Sequence, residues 1–472
     1  MTNTKDIKQF YFINLLSSVF GGIGGFLILG LLSQEDYGLF SLFLTFILQF
    51  MILSFGFPDG LLIDYREENG NIDIGLIKYD IKFAIKFEIK IIILSLIVFN
   101  ILNFLILHLN QNLTIIINYA ICGMLAVILI EIMRCIFISL KDFKKVAIID
   151  AFNKSYLFLL IIPLFFIRLD VFMLIFLDVF LRGMFIIILI YSFFKKHNNV
   201  KEIKNEHPKR HFKKGLFLLI GNWLVILIYG LDKMFLSTSE HELGVYTQAL
   251  FFFGIIYQIV MPFKDVIFVK INEQMSNEEI FHFSTLMLMS VYLLISVFSF
   301  ILIPLILFLC QVMIQLNEDS LVALANQFLD YTKALELSKY LVLMIPTYIT
   351  VQLVLDNLLM IKMQQKYAFK TLINYIIVFS VYVICINFIF KNNLLSAVSL
   401  GTIINSVILY FNNIFSVTNI KIGIISLIIM LITIGIYILA LNYVILQIVF
   451  IIFLIIIVFI LYKGSKNLNL ER

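Results

Sequence analysis

Residues 113–140 read LTIIINYAICGMLAVILIEIMRCIFISL, an apolar block interrupted by only two charged side chains, Glu131 and Arg134. The hydrocarbon core of a bilayer is ~30 Å thick and roughly 20 helical residues are needed to cross it, so this block is long enough to span a membrane. Blocks of similar length recur near 10–32, 37–57, 88–108, 113–140, 146–167, 170–194, 215–236, 243–263, 283–311, 337–361, 366–390, 392–416, 421–441 and 443–462. We therefore predict an all-α polytopic membrane protein with about fourteen transmembrane helices.

The composition of the whole chain indicates that lipid is its main solvent. Of the 472 residues, 62% are hydrophobic and only 14% are charged, and the mean hydropathy is +1.04. A soluble domain has too little interior to bury so much apolar surface. The cysteines lie in apolar blocks without metal-ligand spacing, which favours a role in core packing and predicts no metal and no cofactor. They are Cys122, Cys135, Cys310 and Cys385.

The positive charges are distributed unevenly between the loops. Most of the 35 Lys and Arg residues fall on the loops on the side of the N-terminus, and the opposite loops hold only Arg168, Lys333 and Lys391. Positively charged loops stay in the cytoplasm, so the pattern predicts an even number of helices with both termini cytoplasmic. The net charge of +5 therefore reports topology and indicates no nucleic-acid partner.

The longest polar stretch, KKHNNVKEIKNEHPKRHFKK (195–214), divides the chain. Its histidines have a spacing that fits no compact metal site. Its charge pattern is typical of a solvated segment that faces lipid headgroups. We predict that it is a basic cytoplasmic linker between two membrane halves.

The two halves repeat short sequences in the same order. DYGLFS (36–41), after the first helix, matches ELGVYT (242–247), after the seventh, as a succession of acid, bulky apolar, Gly, aliphatic, aromatic and hydroxyl residues. KVA (145–147), before the fifth helix, matches KYA (366–368), before the eleventh. Because an even number of helices separates the copies, both have the same orientation, which predicts two parallel six-helix bundles related by an axis along the membrane normal.

These features predict four parts of the chain. They are an N-terminal six-helix bundle over 1–194, the basic linker over 195–214, a C-terminal six-helix bundle over 215–416, and two extra transmembrane helices with a cytoplasmic tail over 417–472. The two extra helices are apolar on all sides and suit a lipid-facing surface. The acid of each repeated corner, Asp36 or Glu242, is expected to cap its helix, with substrate contact as the alternative.

Ionisable side chains inside the predicted helices are the candidate functional residues, because each costs roughly 2.5–3.5 kcal/mol at a helix centre on insertion scales. Arg182 lies deepest, with Asp178 one turn before it. Such a pair is either structural or part of a cationic cavity for an anionic headgroup, which the planar donor fork of arginine suits. The candidate cavity cations are Arg182, Arg134, Lys154 and Lys233, and the acids that pair with them or couple an ion are Asp178, Glu131 and Asp356.

The sequence contains no enzyme signature that we recognise. It has no P-loop, no HExxH and no GxSxG motif, so we predict that the chain is not an enzyme and does not hydrolyse ATP. A membrane polymerase or ligase of a glycan pathway is the alternative from the enzyme class. That alternative predicts a large functional outer loop, whereas the longest outer loop expected here is 312–336.

Several segments resemble bacterial polysaccharide repeat-unit flippases. They are the first corner LLSQEDYGLFSL (31–42), GFPDGLLIDY (56–65), the basic turn at 141–145, and LDKMFLSTSEHELGVYTQ (231–248). Together with the fourteen blocks and the repeat, the resemblance covers essentially the whole chain. These O-antigen and capsule translocases belong to the multidrug/oligosaccharidyl-lipid/polysaccharide (MOP) exporter superfamily.

The resemblance implies a carrier that moves undecaprenyl-diphosphate-linked oligosaccharide from the inner to the outer leaflet of the bacterial cytoplasmic membrane by alternating access. In such proteins a cationic cavity takes the diphosphate and sugars, and the lipid tail stays outside in a groove that the last two helices match in position. The implied partners are the lipid-linked glycan, membrane lipids, and the polysaccharide polymerase and chain-length machinery. The alternatives are an ion-coupled small-molecule or drug antiporter of the same superfamily and a peptidoglycan-precursor flippase.

Overall fold

A computed structural model of the chain divides it into two compact units, Met1–Glu240 and His241–Arg472. The structure describes residues 4–67, 73–166, 170–204, 208–260, 276–302, 304, 308, 332–341, 344–355, 366–389, 393–441 and 443–467.

The first unit consists of long helices joined by short turns. Its described helices are α1 (Thr4–Leu31), α2 (Gln34–Gln49), α3 (Phe57–Glu67), α4 (Ile74–Leu102), α5 (Gln111–Ser139), α6 (Phe143–Phe166), α7 (Val171–Lys196) and α8 (Arg210–Leu236). A 3₁₀ segment, Phe50–Ser54, extends α2, and a π-helical segment, Asn103–Leu107, extends α4.

The second unit is also helical wherever the structure describes it. Its helices are α9 (Glu240–Val260), α10 (Asn277–Val297), α11 (Thr332–Leu341), α12 (Ile345–Thr350), α13 (Tyr367–Ile384), α14 (Leu394–Val417), α15 (Ile420–Ala440) and α16 (Val444–Asn467). Three π-helical segments extend α10, α12 and α13: Phe298–Leu302, Val351–Leu355 and Cys385–Ile389.

These elements confirm the predicted fold class, an all-α polytopic membrane protein. The described residues contain no β-strand, and their helices overlap every block predicted to span. Nine of the described helices are long and apolar enough to cross a membrane. The number fourteen stays a prediction.

Local capping holds the corner between α1 and α2, but through Ser33 and not through the side chain of Asp36 as predicted. Ser33 is the N-cap of α2, and its Oγ accepts a hydrogen bond from the Asp36 backbone N–H at 3.1 Å. The Ser33 hydroxyl in turn donates to Asp36 Oδ2 at 2.8 Å. This exchange satisfies a helix N–H that has no intrahelical partner.

Between the 3₁₀ segment and α3, the chain passes through two residues in the left-handed region. Phe55 has φ 52° and Gly56 has φ 75°. The turn sets the start of α3, which packs against α8, and α8 also contacts α2. The helix α8, which the repeat predicts to open the C-terminal bundle, therefore belongs by its contacts to the compact unit Met1–Glu240; the boundaries that the repeat predicts stay a prediction.

The third and ninth predicted spans, which the repeat predicts to be copies, have similar ends. The helix α4 ends in the π-helical segment Asn103–Leu107, and α10 ends in Phe298–Leu302. π-Helical turns are rare in proteins. Such segments also extend α12 and α13, whose predicted counterparts α5 and α6 have none among the described residues, so the repeat stays a prediction.

Candidate functional site

Arg182, the deepest predicted cation, lies on α7 in a buried ion pair. Its Nε donates to Asp178 Oδ2 at 2.7 Å, and its Nη2 donates to Oδ1 at 3.3 Å. The ring of Tyr156, on α6, covers the guanidinium, with the ring centroid 4.1 Å from Cζ. Arg182 is 8% exposed and Asp178 is fully buried. In this conformation the carboxylate and the aromatic ring occupy most of the guanidinium, as in a structural pair.

Arg134, on α5, lies in a more open pair. Its Nε donates to Asp150 Oδ1 on α6 at 2.8 Å, and its Nη1 lies 3.4 Å from Glu131 Oε1. One quarter of the Arg134 side chain is exposed, as is about a third of Glu131. The structure thus brings Arg134 and Glu131 together as predicted, and adds Asp150 from the next helix. Lys154, one turn after Asp150 on α6, is half-buried.

A further acid, Asp59, lies near the start of α3, beyond the span Gln34–Ser54. Burial, and then the negative charge of Glu131, raise the pKa of this carboxyl from 3.8 to about 7. Desolvation and a neighbouring carboxylate both favour the neutral acid. The Arg134 cluster therefore borders on a group that titrates near neutral pH.

No described contact connects the other predicted site residues, Lys233 and Asp356, to these charged clusters. Lys233 is half-buried in the last turn of α8, and its backbone N–H donates to Oδ1 of the buried Asp232 at 2.7 Å. Asp356 lies outside the described residues. The described residues include no group of three or more His, Cys, Asp or Glu side chains that would hold a metal ion.

The most extensive charged cluster among the described residues of the first unit was not predicted from the sequence. It joins α8 to α3 and α4 through His211. The Nδ1 atom of His211 lies 2.6 Å from Asp64 Oδ2, and its Nε2 atom lies 3.4 Å from Asp80 Oδ2. The Tyr65 hydroxyl donates to the same Asp80 oxygen at 2.7 Å. Lys214 Nζ lies 2.5 Å from Asp64 Oδ1.

Because carboxylate oxygens only accept hydrogen bonds, the doubly protonated imidazolium is the form of His211 that suits both neighbours. His211, Asp64 and Asp80 are all buried. A cation and two anions in low dielectric stabilise one another only with good geometry. The cluster therefore ties three helices together at one point.

Close backbone contact between α3 and α8 positions this cluster. A Cβ atom at Gly215 would overlap the carbonyl oxygen of Gly56, and one at Gly60 would overlap the carbonyl oxygen of His211. Only glycine permits such an approach of two helices. The GFPDGLLIDY segment is therefore glycine-rich because of its contact with α8.

The segment 195–214 is not solvated along its whole length, while its role as a linker between two bundles stays a prediction. Its last residues form the first turn of α8, where His211 is buried. Residues 197–204 are attached to α4, because Lys78 Nζ donates to the carbonyl oxygens of His197 and Val200, and the Ile203 N–H donates to Gly75 O at 3.2 Å. Burial, then the charge of Lys196, lowers the pKa of His197. Charge pattern alone cannot show that one histidine of a basic stretch faces two distant aspartates.

In the second unit, amide side chains join α13 to α14. Asn374 Nδ2 donates to Asn413 Oδ1 at 2.9 Å, and Asn412 donates to Asn374. Lys370 Nζ donates to Asn412 Oδ1 at 2.7 Å. Hydrogen bonds of this kind hold membrane helices together, so these amides have a structural role in this conformation.

Comparison with known proteins shows the fold and not the substrate. No protein-family model matches the chain, and no curated protein matches it. Among solved structures, the lipid II flippase MurJ in an inward closed conformation is similar over 98% of this chain and 99% of that one, with a TM-score of 0.58 and 14% identity. An outward-facing MATE-family multidrug transporter of the MOP superfamily is similar over 90% and 96%, with a TM-score of 0.49 and 14% identity. The chain has the fold of the lipid II flippase and is a multi-pass membrane protein.

Proposed function

We propose that the protein is a flippase that moves an undecaprenyl-diphosphate-linked oligosaccharide repeat unit from the inner to the outer leaflet, for surface polysaccharide biosynthesis. The observation that carries the proposal is the match in fold, over nearly the full length of both chains, to a flippase whose cargo is lipid II. The corner at 31–42 and the segments 56–65 and 231–248 favour repeat units as the cargo, because these are the segments that resemble repeat-unit flippases.

The proposed diphosphate ligands are the cations named from the sequence: Arg182, Arg134, Lys154 and Lys233. Among them Arg134 suits exchange best, because its guanidinium is partly exposed and shared between two acids. A diphosphate replaces carboxylate oxygens with phosphate oxygens in the same donor fork, so the hydrogen bonds of the arginine are kept on binding. Arg182 suits exchange least, since its partner is fully buried and its guanidinium is covered by Tyr156.

The proposal includes the bacterial cytoplasmic membrane as the location, with both termini cytoplasmic. The concentration of Lys and Arg on alternate loops supports this orientation. Polysaccharide polymerase and chain-length proteins are the proposed partners, because a repeat unit delivered to the outer leaflet must be polymerised there.

A deletion strain tests the proposal directly. Mass spectrometry of its lipid extract, together with a measurement of surface glycan, is expected to show complete undecaprenyl-diphosphate repeat units accumulating and surface polymer lost. Restoring the gene reverses both changes. Unchanged lipid-linked pools with altered drug or ion tolerance would reject the flippase in favour of an antiporter.

A peptidoglycan-precursor flippase is the second candidate, and the fold match to a lipid II flippase favours it specifically. The same extract separates the two. Accumulation of the peptidoglycan precursor, with lysis of depleted cells and intact surface polymer, assigns this second function.

A further inference from the structure

Glu88 is a fully buried carboxyl group that lies outside the proposed diphosphate-binding residues. It lies on α4, within the candidate span Ile74–Leu107, and its exposed fraction is 0%. Ala84 and Ile92, one turn before and after it on the same face, both belong to the large apolar core of the first unit. The carboxyl therefore enters an apolar interior.

Neither carboxylate oxygen of Glu88 has a hydrogen-bond partner among the residues that the structure describes. The contrast with Asp80, two turns earlier on the same helix and equally buried, is direct. Asp80 accepts a hydrogen bond from Tyr65 and faces His211. One helix thus carries two buried acids, of which one is satisfied and the other is not.

The cations of α4 itself do not pair with Glu88. Lys86 and Lys90, two residues away in either direction, are exposed. Lys82 pairs with Glu202, and Lys78 binds the carbonyl oxygens of the 197–204 segment.

The neighbouring helices bring no counter-ion either, within the described part of the chain. The α4–α5 hairpin pairs Asn100 with Asn118, which puts Glu88 at about the level of Glu131. The cations that α5, α7 and α8 present to this region have other partners: Arg134 binds Glu131 and Asp150, Arg182 binds Asp178, and Lys214 and His211 bind Asp64. Asp59 of α3 is itself an acid that lies near Glu131, so it supplies no counter-ion.

An ionised carboxylate in such surroundings is very unfavourable, and such a group takes up a proton instead. Even the neutral acid leaves a donor and an acceptor unpaired, which costs stability relative to an apolar side chain. A position that is unfavourable for folding and holds a titratable group is a candidate for function.

We propose that Glu88 is a proton-binding site of the transport cycle, protonated in the conformation described here and ionised in another, where α4 shifts and water reaches the carboxyl. The O–H bond of the acid breaks, the carboxylate stays on α4 and the proton passes to water; the reverse step restores the neutral acid. This inference rests on the proposed transport function, since it makes proton exchange part of the same cycle.

The first test needs no substrate. The full chain is reconstituted in lipid vesicles, and its infrared spectrum at neutral pH is compared with that of Glu88→Gln. A carboxylic-acid C=O band present in the wild type and absent in the variant supports the proposal. The matched control is Glu202→Gln, which removes a partly exposed carboxylate paired with Lys82 and is expected to leave that band unchanged. A wild-type spectrum without a band assignable to Glu88 overturns the proposal.

The second test measures export of surface glycan in cells at two external pH values. Glu88→Gln keeps the shape of the neutral acid but cannot release a proton, so we expect export to fall by about tenfold or more at normal membrane levels, with Glu88→Asp retaining part of it. Wild-type export by Glu88→Gln overturns the proposal. If that variant does not accumulate, Glu88→Leu, which fills the apolar site, takes its place in both tests.

The two tests separate the two hypotheses. If the wild-type chain exports no glycan, the proposed function fails while the infrared result still decides whether Glu88 binds a proton. If the wild type exports and Glu88→Gln exports equally well, the proton site fails and the flippase stands.

Discussion

The Nδ1 atom of His211 lies 2.6 Å from Oδ2 of Asp64, although 147 residues separate them in the chain. The contact joins the start of α8 to α3, and the second ring nitrogen faces Asp80 of α4. Three helices of the first unit therefore depend on one buried imidazole.

Replacing His211 by Gln is expected to destabilise the first unit by about 3–5 kcal/mol, because removal of one partner leaves buried charge uncompensated. Thermal unfolding of the purified protein measures the loss. His241→Gln changes an exposed histidine and is expected to be neutral. Equal melting of the two variants would mean that the His211 cluster contributes nothing to stability.

The close backbone contact between Gly215 and Gly56 predicts that a larger residue at position 215 destabilises the protein. Gly215→Ala inserts a methyl group into the space of the Gly56 carbonyl, and overpacking of this kind costs about 1–3 kcal/mol or prevents folding. Gly183→Ala on α7 is the matched control, since a Cβ there meets nothing within 4 Å and the helix gains about 0.5–1 kcal/mol. Membrane abundance and melting temperature are the measurements. A tolerated Gly215→Ala would contradict the close approach of α3 and α8.

Replacement of Arg182 and replacement of Arg134 are expected to have different effects on membrane abundance and on export. Arg182→Ala leaves the fully buried Asp178 without its partner, at a cost of about 3–5 kcal/mol, so membrane abundance falls. The double variant Asp178→Asn, Arg182→Met removes both charges and is expected to restore it. If the double variant is abundant but exports no glycan, Arg182 has a role in transport beyond its pairing with Asp178.

Arg134→Ala is expected to leave abundance near normal, because one quarter of this side chain already meets solvent. Export should fall by about tenfold or more if the guanidinium binds diphosphate, with partial rescue by lysine, which keeps the charge but loses the planar fork. Normal export by Arg134→Ala removes this residue from the proposed site.

Asp59 is expected to make the folded protein less stable as pH rises. Its pKa is raised from 3.8 to about 7 by burial and by Glu131. Between about pH 4 and pH 7 the folded state therefore holds a proton that the unfolded state has lost. The contribution to stability is present below pH 4 and is lost as pH rises through 7.

Asp59→Asn removes this titration, so the decrease in melting temperature between pH 5 and pH 8 should be smaller than in the wild type, by roughly 2–4 °C for each kcal/mol of stability involved. Glu35→Gln, an exposed acid on α2, is the control and is expected to follow the wild type. A pH profile of Asp59→Asn that matches the wild type would show that Asp59 does not bind a proton in this range.

Fold class and helix positions were accessible from the sequence alone, because they depend on the apolar character of one continuous block. Apolar blocks of spanning length predicted the helices, whereas the cap of α2 is Ser33 and not the predicted Asp36. The pairs Arg182–Asp178 and Glu131–Arg134 were also accessible, since i,i+4 and i,i+3 neighbours meet on one helix.

The partners of the other charges were decided only by tertiary structure. Asp150 binds Arg134, and Asp64 binds His211, across helices whose relative rotation no single sequence pattern specifies. The burial of Glu88 was also decided by packing. In the sequence it is one charge in a lysine-rich stretch, and only the structure shows that it lies in the apolar core. Hydropathy and capping are properties of neighbours in sequence and fix which segments become membrane helices. The protonation and pairing of a buried charge depend on the groups that packing brings within a few ångströms.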